Sequence, residues 1–501
     1  MPQLPAALAN WRSHPSAILP LAFLQALAVG LNSLPITYLF RAVRCAEYRA
    51  HLPAGPVPDD VCRAPAVQKA YSTDIAVYAT LLAVLGIVVA GPYGRLSDVR
   101  GRKAALALSV AFNALGDAWL VLCSLLAPLR TPGLIQLGAA LQGLGGGFSV
   151  VMAGQNAFVA DTSTPATRSY YMGLALVMFW AGHAVGPLVS GALLNHELYT
   201  TNFAVTALAW LLYLPYLHFV VREPREARGR DEGEVDPAQQ PVASGTLDAA
   251  RSVVEPMVIL GQHLPLLLLS VIMTGSILAI GVFNFLVPFC DTKFGLKPSE
   301  AGIVNASSAF TRAISLMALL PLLVKGYQWL VNDSKSLLAP APVSDLLSAD
   351  EATPLLAEAT AEAPPDSSVC ATKAASVSQE LAILRLCLVL DALGMLALER
   401  SRSVREVLLA TVLSAFGAPA GPSMQALLTL AAPPDEVGRV LAGLGVLQSV
   451  AVALRGPVFV PVFNATLTRA PGAIWWMAAA MLMVCWAVAL GLRVRQFVHE
   501  S

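Results

Sequence analysis

Charge is what this sequence has least of. Only 13% of its 501 residues are Asp, Glu, Lys or Arg, where a soluble protein carries about a quarter, and 32 cations balance 32 anions. With no basic surplus and no basic stripe, nucleic acid is excluded as a partner. A removable leader is not expected either. MPQLPAALANWRSHPS holds one arginine and no small-residue cleavage site behind a short apolar core, so the first apolar run is expected to serve as its own uncleaved address. No Walker lysine loop suggests ATP hydrolysis, and no run carries the paired histidines and carboxylate of an intramembrane protease. An enzyme, a cofactor and a metal site are therefore not expected.

What is present is hydrophobicity in long runs. Mean hydropathy is +0.64, and the apolar residues gather in runs of about twenty, enough to cross a bilayer core of about 30 Å. Twelve spans are expected, at 17–40, 72–93, 104–126, 134–158, 170–193, 202–221, 265–289, 301–324, 382–398, 405–428, 440–463 and 472–492. This is an all-α, multi-pass integral membrane protein with both termini on one side. Lys and Arg favour the cytoplasm for that side, through GRLSDVRGRK (94–103), VREPREARGR (221–230) and RVR (493–495). The chain divides into a first six-span unit (1–221), a cytoplasmic linker (222–263) and a second six-span unit (264–501). Within the linker, TLDAARSVVEPMVILG suits an amphipathic surface helix. Residues 326–380, rich in Ala, Pro, Ser and acids, are expected to form a disordered cytoplasmic loop. That loop contains EATPLL, whose Glu351, Leu355 and Leu356 fit an acidic dileucine signal read by a sorting adaptor. The signal resembles lysosomal or vacuolar addresses and also arises by chance, so the plasma membrane and a vacuolar or lysosomal membrane both remain open.

The halves echo one another. Arg168 lies eighteen residues before Gly186-Pro187, and Arg439 lies seventeen before Gly456-Pro457, each following the fourth span of its half. Such matches point to an internal duplication, a common transporter plan.

The ten residues GRLSDVRGRK hold four cations and one carboxylate between the second and third spans. Gly94, Asp98, Gly101, Arg102 and Lys103 resemble the G-x-x-x-D-x-x-G-R-K signature of the major facilitator superfamily. Gly182, Gly186, Pro187 and Gly191, in GHAVGPLVSG, resemble that superfamily's fifth-helix motif. The resemblance covers essentially the whole chain and implies two pseudo-symmetric six-helix bundles around a central site. It also implies an inner-face cluster that latches the halves and loosens when the protein turns inward. By physics alone, Gly94 and Gly101 suit a tight turn. Asp98 suits the positive N-terminus of the third helix or a pair with Arg102 or Arg95. The cations also suit a plain topological anchor, and the fifth-helix motif suits either antiport or simple helix packing.

A narrower resemblance, carried by CRAPAVQKAYS (62–72), VADTSTPATRSYYM (159–172) and VPFCDTKFGL (287–296), is to the proton-coupled folate transporters and their fungal-type relatives. It implies a bridge between Cys62 and Cys290, although Cys45 is a third outer cysteine and the sequence permits three pairings. The sequence also departs from that group. The positions of its fifth-helix coupling glutamate and tenth-helix arginine hold Leu176 and Gln425, and the fourth-helix arginine of many proton antiporters is Ala139 here.

Charges inside spans are functional candidates because each costs several kcal/mol unless paired or wetted. Arg312 and Arg455 fall in the eighth and eleventh spans, which line the cavity in this superfamily, and Asp117 and Asp391 fall in the third and ninth. Two readings stand for the arginines: attraction of a carboxylate or phosphate on the solute, or neutralisation by a protein acid such as Asp391. His183 suits a proton relay or a packing role. Asn32, Gln142, Asn284 and Gln425, with Gln25, Gln155, Asn156 and Gln448, suit hydrogen bonds to a solute or between helices. The expected activity is secondary or facilitative transport of a small organic solute, with proton coupling and an anionic solute both open. A proton-driven drug or toxin exporter and a non-transporting receptor on the same fold are the alternatives.

Overall fold

The computed structural model describes residues 14–52, 61–223, 260–338, 365–433 and 437–498. Among them all regular structure is helical. Twelve helices are long and apolar enough to cross a membrane, and we number them α1 (Pro15–Ala50), α2 (Pro65–Arg100), α3 (Arg102–Leu125), α4 (Pro132–Thr162), α5 (Tyr170–Leu194), α6 (Tyr199–Val220), α7 (Leu264–Phe294), α8 (Pro298–Leu330), α9 (Lys373–Arg400), α10 (Val404–Ala431), α11 (Gly443–Thr466) and α12 (Ala473–Gly491). Each overlaps a run expected from the sequence. Proline opens α2, α4 and α8 at the first helical positions, where a missing N–H breaks no bond.

The long loop expected at residues 326–380 is smaller than the sequence suggests. Helix continues from Leu320 to Leu338 and resumes from Pro365 to Arg400, so residues 326–338 and 365–380 are helical rather than disordered. Backbone bonding extends each helix beyond the apolar segment that composition marks. The remainder of that loop, with the Glu351, Leu355 and Leu356 signal, lies outside the described residues, as does most of the linker.

α1 packs on α5 and α6, and α3 packs on α4 and α6; in the second bundle α9 packs on α10 and α12, and α7 on α11 and α12. Between the bundles, α5 meets α8 and α2 meets α11. The fourth helix of each bundle is broken midway. α4 stops at Leu144 and restarts at Gly147, with Gly146 at φ 78°, and α10 stops at Ala415 and restarts at Ala420. α7 carries a 3-10 turn over Gly281–Phe285. Broken helices at membrane depth are tolerated where backbone is enclosed by protein or lines a cavity. They therefore mark the middle of the molecule as the place to look for a site. An even number of spans puts the start of α1 and the end of α12 on one face, called here the terminal face.

Candidate functional site

At the terminal face GRLSDVRGRK is nearly all helix. α2 runs through Arg100 and α3 begins at Arg102, so Gly101 alone makes the turn. Its φ of 96° demands glycine, and a Cβ there would stand 2.7 Å from Cδ of Glu223. Gly94 differs from expectation. It sits inside α2 with nothing within 4 Å of where its Cβ would be, so the turn does not need it. Arg102 is the hub: Nη1 donates to Asp98 Oδ1 and Ser97 Oγ, both at 2.9 Å, and Nε donates to Asp161 Oδ2 at 2.8 Å. The carboxylate at the positive end of α3 is not Asp98 but Glu223, which accepts from the backbone N–H groups of Arg102 (2.9 Å) and Lys103 (3.0 Å). Asp98 belongs to the last turn of α2 and pairs with the α3 residue Arg102, whereas the chain leaving α6 lies across the α3 terminus. Lys103 completes that clamp by donating to the carbonyls of His218 and Val221. Arg168 and Arg439 lie where side chains are not described.

The fifth-helix motif faces two ways. A Cβ on Gly186 would stand 2.5 Å from the Leu31 nitrogen, and one on Gly182 would stand 3.0 Å from the Leu27 nitrogen, so both glycines admit α1. A Cβ on Gly191 would stand 2.7 Å from the Pro298 carbonyl oxygen, and Gly302 rests against the carbonyl of Pro187, so this end of the motif admits α8 from the other bundle. Small residues here let backbones approach within and between the halves.

Opposite the termini the bundles are closed on each other. Asp291, 2% exposed at the end of α7, is held by Arg41 at 3.1 Å and by Gln68 Nε2 at 2.9 Å. Tyr71 supports this by donating to Gln68 Oε1 at 2.6 Å. Asn464 receives a bond from Ser72 and donates to Thr73, both at 3.1 Å, and Asn195 accepts from the Ser299 N–H. Asp291 stands inside the quoted stretch VPFCDTKFGL, yet sequence reasoning passed over it because a charge beside a loop looks solvated.

The disulfide is Cys45–Cys62, not the expected Cys62–Cys290. Cys45 lies near the end of α1, and the chain returns past it seventeen residues later, whereas Cys290 is buried in the core of the second bundle. Cys123, Cys387 and Cys485 are also buried and free. Peptide mapping without reductant is expected to recover a Cys45–Cys62 cross-link, intact in Cys290→Ser. Closure of a loop of this length contributes about 3 kcal/mol, so reductant should lower the melting temperature. A Cys62–Cys290 peptide would refute the assignment.

At mid-depth lies Arg312, fourteen residues into α8 and therefore about 21 Å along it. Only 6% exposed, its guanidinium lies 5.4 Å from the ring centre of Trp180 on α5 and 5.7 Å from that of Phe283 in the α7 break. Among the described residues it makes no hydrogen bond and no ion pair within 4.0 Å. Asp391 lies within its electrostatic reach but hydrogen-bonds Ser414. His183 is beside this cluster, stacked on Phe179 at 5.9 Å and edge-on to Trp180 at 6.0 Å, with Nδ1 buried and unbonded. Sequence reasoning missed Trp180 and Phe283, since an aromatic residue in an apolar run carries no signal of its own. Arg455 stands apart: it donates to the Ile277 carbonyl at 3.1 Å and lies over Gly281, with Nε buried and unbonded.

The amides divide. Asn32 and Gln142 both donate to Asp117 Oδ1, at 2.9 and 2.8 Å. Gln155 donates to the Tyr213 hydroxyl and Gln448 approaches the Met273 sulfur. Gln25 is buried, whereas Asn284 and Gln425 present exposed side chains with no hydrogen bond among the described residues.

Twelve spans in two bundles, closed on one face and holding a buried arginine at mid-depth, define a multi-pass membrane protein of the transporter class. The model of the Major Facilitator Superfamily matches residues 18–332, and the chain belongs to that superfamily. An uncharacterized membrane protein of Schizosaccharomyces pombe is 28% identical over 96% of this chain and 79% of its own length. An MFS efflux pump of Emericella nidulans is 26% identical over 87% of this chain and 79% of the pump. Among solved structures, a human organic anion transporter superposes with a TM-score of 0.61 at 16% identity, covering 95% of this chain and 99% of that one. A D-xylose–proton symporter gives 0.62 at 13% identity, covering 94% and 96%.

Proposed function

We propose that this protein moves a small organic anion across its membrane by alternating access, with Arg312 as the anchor for the anionic group. The observation that carries the reading is a deeply buried guanidinium, flanked by Trp180 and Phe283 from different helices, with no carboxylate within 4.0 Å among the described residues. A cation left so in a low-dielectric interior is costly unless something negative visits it. Contacts with ring faces spend none of the guanidinium N–H hydrogen bonds, which stay available to a carboxylate or phosphate. A solved neighbour described as an organic anion transporter agrees with this choice, at the level of fold. Arg455 and His183 stand as secondary candidates, the first over the α7 break and the second beside Trp180.

With cytoplasmic termini, as the Lys and Arg distribution favours, the closed face is the outer one, as expected of an inward-facing state. Asp98–Arg102 is formed in it, so the loosening that accompanies inward turning falls between the α2–α3 turn and the second bundle rather than inside the pair. The folate-transporter resemblance contributes nothing to the choice of solute, because its coupling positions hold Leu176 and Gln425. A second reading is proton-driven export, whose direction is supported by the relative described as an efflux pump.

The test is flux in sealed vesicles with an imposed pH gradient, screened against organic anions and organic cations. Saturable anion flux is expected. Flux of cations alone, driven toward the proton source, would support the exporter. Equal anion flux with and without the gradient would exclude proton coupling, and no flux of either class would favour a receptor.

A further inference from the structure

We propose that Asp117, Asn32 and Gln142 form a binding site for a small monovalent cation, a proton or a sodium ion, inside the first bundle. This site deepens the transport reading by supplying its coupling ion, but its existence does not depend on that reading. Asp117 is fully buried, at 0% exposure, in the middle of α3. Both amide donors, Asn32 Nδ2 and Gln142 Nε2, are spent on Oδ1. Oδ2 is buried with no hydrogen-bond partner within 3.5 Å, the Trp210 indole N–H interacting with the carboxyl only at longer range, and the Oδ1 of Asn32 is buried and unbonded too. Of the fifteen buried side-chain N and O atoms without a partner among the described residues, two acceptor oxygens therefore belong to one hydrogen-bonded pair of side chains around a carboxylate.

The surroundings offer no positive charge. The groups facing the carboxyl are Asn32 from α1, Tyr78 from α2 through its 3.2 Å bond to Gln142, Gln142 from α4 and the Trp210 indole from α6. None is a cation, and among the described residues no Lys, Arg or His lies within 4.0 Å of Asp117. The corresponding acid of the second bundle, Asp391, differs in this respect, because Arg312 lies within its field. Amide dipoles alone do not replace a counter-charge for a buried carboxylate. A proton on Oδ2 would remove the charge and turn one unbonded acceptor into a donor. A sodium ion, which takes oxygen ligands, would use Oδ2 as one of them.

The location gives the ion a consequence. Asn32 is two residues past Gly30, the point where α1 touches Gly186 of α5, and α5 is the helix that meets α8 of the other bundle. Occupancy at Asp117 therefore acts on the helix pair through which the first bundle meets the second.

The experiment measures thermal stability of the purified full-length protein in detergent and needs no solute. Sodium is titrated against choline at fixed alkaline pH, and pH is lowered from about 8 to about 5.5 in choline alone. Binding to the folded state raises its stability by mass action, so the melting temperature of the wild type is expected to rise by several degrees in one arm. A rise with sodium alone identifies sodium, and a rise with acid alone identifies the proton. Asp117→Asn, which carries no charge, is expected to lose that response. If it does not fold, Asn32→Ala is expected to shift the midpoint of the responding titration by about tenfold in concentration. A wild type indifferent to both ions, a full response in Asp117→Asn, or an unmoved midpoint in Asn32→Ala overturns the site. Because no flux is measured, failure here leaves the transport reading standing, and loss of that reading leaves the ion site standing.

Discussion

Replacing Asp291 with asparagine is expected to open the face opposite the termini. Asp291 joins α7 to Arg41 on α1 and to Gln68 on α2, so one carboxylate bridges both bundles. It is almost fully buried, and removing one partner of a buried pair leaves the other charge uncompensated at a cost of about 3 kcal/mol or more. Because Arg41 regains water when the bundles part, that cost falls on the closed state rather than on folding. A shift of about 100-fold in the closed-to-open ratio follows. The reporter is Leu34→Cys, at a position on α1 buried against the second bundle, in a background that keeps only the Cys45–Cys62 bridge. Labelling by a membrane-impermeant maleimide from the opposite face should accelerate by about that factor. An unchanged rate would show that the closed face is held by the glycine contacts at Gly191 and Gly302 instead.

Arg312→Gln is expected to weaken transport of an anionic solute by about 100-fold, the worth of a desolvated, charge-assisted contact of about 2 to 3 kcal/mol. Arg312→Lys should restore little, because an ammonium presents no planar edge between Trp180 and Phe283. The competing role, neutralising Asp391, makes a different forecast. If Arg312 serves only to balance that acid, the double variant Arg312→Gln, Asp391→Asn would carry solute like the wild type. If it anchors the solute, the double variant stays inactive. Initial rates of anion uptake for the three variants, normalised to folded protein, decide between them.

The neighbourhood of Arg312 illustrates what could be read ahead of the fold. An arginine in an apolar run is conspicuous because its cost is local, and the same holds for Asp117 and Asp391. The partners were not conspicuous. Trp180 and Phe283 lie more than a hundred residues away from each other, on helices whose facing sides depend on packing. The α2–α3 motif was legible in part: the Asp98–Arg102 pair spans adjacent helix ends, but Glu223 comes from beyond α6 and takes the capping role that short-range reasoning gave to Asp98.

The cysteines show the same division. Spacing alone leaves three pairings among Cys45, Cys62 and Cys290, and resemblance chose the wrong one. The choice was made by which side of α7 turns inward, since Cys290 packs into the second bundle.

By itself the sequence determined that this chain lives in a membrane, that it crosses twelve times, and which few charged side chains sit there at a cost. Those properties follow from transfer free energies that add along the chain, so composition within a window suffices. Only the tertiary structure decided that the fifth-helix glycines serve both α1 and α8, that Asp291 closes one face, that Arg312 stands between aromatic rings, and that Asp117 keeps an oxygen unbonded. Those are relations between surfaces of different helices, and side-chain direction about a helix axis is settled by packing rather than by hydropathy.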